Sequence, residues 1–107
     1  MRLAFLSTVA VFLSAAAPAV AAGADPTAGA RLAKETCSSC HAVGADTAAQ
    51  SPDSKAPRFI DVAKMPSTTE LSLKVFLRSS HRNMPNFILT PEEIDGVAAY
   101  ILGLNKK

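Results

Sequence analysis

Cys37, Cys40 and His41 lie together in "TCSSCHAVGA" and account for both cysteines of the chain and one of its two histidines. Three chemistries use such a cluster. A thiol-disulfide centre needs a cysteine activated at a helix N-terminus in a βαβ setting, whereas here a run of helix formers precedes the pair and no strand pattern is available. A structural zinc site needs four ligands, usually as two separated pairs, and only the distant His81 could complete one. Cys-x-x-Cys-His is the pattern of covalent c-type haem attachment. Two cysteines three apart, near one helical turn, can each add to one vinyl group at the porphyrin edge, and the adjacent histidine then falls beneath the ring within reach of the iron. This third chemistry is the one the spacing favours.

Such a cluster needs a scaffold, and the chain has little to spare. Met1 and Arg2 open it with positive charge, an uncharged stretch runs from Leu3 to Ala24, and Val20 and Ala22 are small residues at a signal-peptidase position. Residues 1–22 therefore read as a signal peptide, with cleavage after Ala22 or, as an alternative, Ala21. An uncleaved anchor is the competing reading, since the stretch is long enough to span a bilayer, but it is rich in Ala and Ser and only weakly hydrophobic. Export to the periplasm follows. Residues 23–107 then form one small domain, near the size at which a side-chain core alone yields little net stability. One Cys-x-x-Cys disulfide would close too short a loop to help much. A bound cofactor that fills the core suits the chain better.

The periodicities predict an all-α domain. Asp25 caps a first helix with Pro26 at its first position, running up to the cysteines. Residues 42–57 carry Gly, Pro, Asp and Ser without a period and read as a loop. "RFIDVAK" reads as a short helix stopped by Pro66. A further helix follows, with Ser67 and Glu70 as its capping box and Leu71, Val75 and Phe76 on one face. In the last helix Thr90 caps, Pro91 occupies the first turn, and Glu92 and Glu93 sit at the positive end of the dipole. Its apolar stripe of Ile94, Val97, Ala98, Ile101 and Leu102 must be buried.

Without Arg2 the chain carries ten basic and nine acidic residues, too even a balance for a nucleic-acid partner. The segment 55–82 is nevertheless locally basic, with Lys55, Arg58, Lys64, Lys74, Arg78 and Arg82 against Asp61 and Glu70. It reads either as an ordinary solvated surface or as a face that steers an acidic partner.

Across essentially all of residues 23–107 the sequence resembles the small single-haem bacterial cytochromes c of class I. The resemblance rests on three segments in order: "GARLAKETCSSCH", with Gly29 eight residues before Cys37; "KAPRF" after the loop; and "HRNMPNFILTPEEIDGVAAYILGL" at the C-terminal end. It implies a compact cytochrome c fold, with three to four helices and loops wrapped around one haem and the N- and C-terminal helices crossing. Gly29 and Tyr100 fit the small and aromatic residues of that crossing. Ala33 departs from the aromatic often found four residues after the glycine.

The second axial ligand decides the chemistry: methionine opposite histidine gives an electron-transfer site of raised potential, and an open position admits gases or peroxide. Met65, Met84 and His81 are the candidates, and both methionines precede a proline. Local sequence does not separate them, but "NMPNF" looks like the family's axial segment, which implies Met84. Met65 then belongs to core packing, and His81 is a polar residue near the surface or, in a rival bis-His site, the ligand. Pro57 matches the family position whose carbonyl accepts a hydrogen bond from the axial histidine. Arg58 is either solvated or paired with a haem propionate. No spacing of Ser, Asp or Glu suggests a catalytic set. The expected function is that of a soluble electron carrier, monomeric or weakly associating, between a periplasmic dehydrogenase and an oxidase or reductase. Alternatives are a cytochrome subunit of such a complex, or a small haem peroxidase or sensor.

Overall fold

A computed structural model of the chain describes residues 23–79 and 83–106. The expected signal peptide, His81, Arg82 and Lys107 lie outside the described residues. Helices are the regular elements among those described: α1 (Pro26–Leu32), α2 (Phe59–Lys64), α3 (Glu70–Arg78) and α4 (Pro91–Leu104), with a π-helical turn (Ala33–Cys37) extending α1. The all-α reading is correct. No helix among the described residues is long and apolar enough to cross a membrane.

Local chemistry sets most of the boundaries. The Asp25 carboxylate accepts from the backbone N–H groups of Thr27 and Ala28 at 2.9 and 3.2 Å, with Pro26 at the first helical position. Thr90 and Glu93 form a reciprocal capping box on α4, at 3.2 and 2.8 Å. At α3 the expected cap is corrected. The N-cap is Thr69, boxed with Ser72, while Ser67 supplies only a carbonyl to the Ser72 hydroxyl. Both Ser67–Glu70 and Thr69–Ser72 have the spacing of a box, but Ser67 sits in a turn closed by the Thr68 N–H on the Met65 carbonyl at 3.0 Å, so the later pair starts the helix.

The first helix also changes pitch before the cysteines. The Ser38 N–H bonds the Ala33 carbonyl at 3.1 Å, a span of five residues, and the Ser38 hydroxyl bonds the Lys34 carbonyl at 2.5 Å. Such one-turn widenings are frequent at functional sites. Here it alters the face on which Cys37 emerges.

Helix α4 packs against each of the other three, and its Ile94, Val97, Ala98, Ile101 and Leu104 are buried. Leu102, expected in the stripe, is only half-buried, and Leu104 takes the deeper position. Around α4 gather Ala33, Phe59, Ile60, Ala63 and Leu73. The α1–α4 crossing is closer than a side chain permits: a Cβ on Gly29 would lie 2.0 Å from the Gly96 carbonyl oxygen and 2.8 Å from the Val97 nitrogen. Gly96, missed in the sequence, is therefore the partner of Gly29, and Ala33 is fully buried beside the contact region. Tyr100, one turn after Gly96, packs against the core, and its hydroxyl donates to the Val43 carbonyl at 2.6 Å.

On α3 the expected face turns the other way. Leu73 and Leu77 meet the core, whereas Leu71 and Val75 are 72% and 57% exposed. A helix of nine residues can satisfy two overlapping apolar patterns, and only packing against α4 selects one.

Candidate functional site

Cys37, Cys40, His41, Pro57 and Met84 all line one cavity of about 630 Å³, although Met84 lies 47 positions after Cys37. Phe59, Val62, Leu73, Phe76, Leu77, Phe87 and Ile101 supply most of its apolar wall. The volume is in the range of cofactor clefts. Met65, Phe76 and Phe87 face this space yet are 47%, 48% and 41% exposed, as suits a wall shaped to be covered by a flat apolar group. The donor set and the wall both fit haem c.

The core assignment of Met65 is corrected. It is the C-cap residue of α2 with extended backbone (φ −65°, ψ 132°), a conformation that the following Pro66 favours, and this carries its side chain to the cavity instead of the interior.

Two unpaired thiols sit at the C-terminal end of the first helix. Burial pushes the Cys37 thiol up from its ordinary value, and the negative end of the dipole further opposes a thiolate. This is the reverse of an activated redox cysteine. Among the described residues no three His, Cys, Asp or Glu side chains gather so as to hold a metal ion between them.

His41 is oriented with care. Its Nδ1 lies 2.7 Å from the Pro57 carbonyl oxygen. A carbonyl only accepts, so Nδ1 carries the proton and Nε2 keeps its lone pair for a metal. The ring also leans on Phe59, with centroids 5.3 Å apart at 54°.

Around the histidine the backbone is held residue by residue. The Cys40 carbonyl accepts from the Asp53 N–H at 3.1 Å, and the Ala42 N–H donates to the Ser51 hydroxyl at 3.0 Å. The Ala42 carbonyl accepts from the Phe59 N–H at 2.9 Å, and Tyr100 holds Val43. Burial pushes the Tyr100 hydroxyl up, which keeps it a donor. Sequence reasoning missed Ser51, Asp53 and Tyr100 as supports, since no local pattern marks a loop residue that bonds a neighbour many positions away.

The basic segment proves less available than its composition suggests. Arg58 pairs with Asp61, and Lys74 pairs with Glu70 and Asp95 at 2.5 and 3.0 Å. Glu70 first and Asp95 second hold the Lys74 ammonium above its ordinary value.

Comparison with known proteins places this architecture among relatives. A family profile described as "Cytochrome C oxidase, cbb3-type, subunit III" matches residues 24–101. The chain is 40% identical over 91 residues to a protein named cytochrome c-552 from Bradyrhizobium diazoefficiens, covering 85% of this chain and 86% of that one. No solved structure matches.

Proposed function

The chain belongs to the small bacterial class I cytochromes c, and from that membership we propose a periplasmic one-electron carrier with a single haem, bound through Cys37 and Cys40 and ligated by His41 and Met84. Membership itself makes it an electron-transfer protein that carries covalent haem c and exchanges electrons with redox partners. The finer assignment rests on one observation above all. The Pro57 carbonyl, 2.7 Å from Nδ1, leaves His41 with its metal-binding nitrogen free, and the two thiols share its cavity.

When bound, the haem supplies an iron that alternates between ferrous and ferric. The chain's residues do the rest. Cys37 and Cys40 tether the ring, so that a fold of this size need not hold it by packing alone. Pro57 fixes the histidine tautomer and raises its basicity. Met84 offers a thioether, which favours the higher range of haem potentials. The apolar wall excludes water and limits reorganisation as the charge changes. Residues 1–22 would serve as the leader and 23–107 as the working domain.

Carbon monoxide added to the reduced protein tests the ligand set. Met84→Ala should lower the potential and admit carbon monoxide promptly, and Met65→Ala should do neither. The reverse result would reassign the axial methionine, and prompt binding by the unaltered protein would favour the peroxidase or sensor reading. The description of the matching family favours a second reading, a cytochrome subunit of an oxidase complex. Size exclusion of a native extract separates the two, because a free carrier elutes as a small haem protein.

A further inference from the structure

We infer that Arg58 is a positioning residue for the axial histidine: its guanidinium clamps loop 42–57 against α2 and so holds the Pro57 carbonyl on His41 Nδ1. The inference rests on the haem reading above.

Arg58 Nε and Nη2 grip both oxygens of Asp61, at 2.6 and 2.9 Å, while Nη1 donates to the carbonyls of Thr47 and, at 3.4 Å, Ala49. Four of the five guanidinium N–H groups are thereby engaged. The fork matches the carboxylate in the planar geometry that lysine cannot reproduce.

What this holds is one peptide plane. The Pro57 carbonyl and the Arg58 nitrogen belong to a single rigid unit, and proline fixes its own φ. One residue on, the Phe59 N–H bonds the Ala42 carbonyl at 2.9 Å. The Arg58 Cα is thus the pivot between the bond that orients His41 and the bond that fixes the residue after it. A side chain anchored at this pivot to α2 on one side and to the loop on the other denies the plane its rotation. Hydrogen bonds to the second nitrogen of a metal-bound histidine raise its basicity and favour the more oxidised metal. Loosening the clamp should therefore raise the potential.

The test uses the holoprotein with Arg58→Leu, Arg58→Lys and Asp61→Asn, and Lys74→Met as a control that loses ion pairs away from the loop. Arg58→Leu should shift the redox equilibrium toward the ferrous form about threefold, or about 30 mV for one electron, and speed exchange of the His41 Nδ1 proton in the ferrous state, because the bond that protects that proton is loosened. Arg58→Lys and Asp61→Asn should fall between it and the unaltered protein. Lys74→Met should lower thermal stability and move neither readout. A normal c-type haemochrome in every variant with an unmoved potential and unmoved proton exchange would overturn the clamp alone. Absence of a c-type haemochrome from the unaltered protein would overturn the haem reading and the clamp with it.

Discussion

The two walls of the cavity are built by different physics. On the histidine side, backbone groups of residues 40, 42 and 43 are bonded to Asp53, Ser51, Phe59 and Tyr100, and the ring of His41 is pinned at 2.7 Å by the Pro57 carbonyl. Beside Met84, Phe76 and Phe87 reach the space as half-exposed apolar side chains, and Ile88 nearby in the chain is 97% exposed. Directional bonds preorganise the first wall, whereas non-directional apolar burial closes the second. Attachment should accordingly depend on the histidine side, and ligand exchange on the other.

The largest expected effect breaks the comparison outright if it fails. Cys37→Ala or Cys40→Ala should leave at most a single-thioether product in poor yield, while Phe87→Ala should leave haem c yield near normal, both read by haemochrome spectra of purified protein. Equal losses would mean that both walls are needed for attachment.

Next in size is the support beneath the first wall. Gly29→Ala would drive a methyl group into the Gly96 carbonyl and separate the helix that carries the cysteines from α4. A loss of about 1–3 kcal/mol is expected from such overpacking, measured by denaturant titration of the holoprotein. A Gly29→Ala variant as stable as the parent would show that the crossing can open freely. Tyr100→Phe removes only the bond to the Val43 carbonyl and should cost about 1 kcal/mol, with the thermal midpoint as readout.

The smallest effect concerns pH. The hydrogen bond from Arg58, with smaller help from the charges of Arg58 and Lys64, holds the Asp61 carboxyl below the usual aspartate range against the opposing pull of burial. Asp46 adds to the field that keeps Arg58 charged. A depressed folded value means that this pair contributes fully above the unfolded aspartate value of about 3.9 and is lost as pH falls through the folded one. Acid titration of stability should therefore show the Asp61→Asn protein slightly less stable than the parent at neutral pH, with the difference disappearing as pH falls through the folded value of Asp61. The pair is exposed enough that the difference will be small.

Much of this was legible in the chain. Asp25, Thr90, Glu93 and Pro91 act on neighbours within four residues, so their caps could be read from spacing alone, as could Cys-x-x-Cys-His and the buried stripe of α4. The helix at 70–78 shows the limit. Its length and place were readable, but two caps of equal spacing and two apolar patterns competed, and the choice fell to Thr69 and Leu73 only in the fold.

The sequence by itself determined the helical class, the haem motif and the tie to a family, because periodicity, capping and covalent spacing are properties of short stretches. Tertiary structure alone decided that Gly29 meets Gly96, that Met65 lines the cavity and that Arg58 braces the loop over His41. Those pairings bring together residues from different elements, and which partners meet is fixed by close packing and by the satisfaction of backbone polar groups across the whole domain.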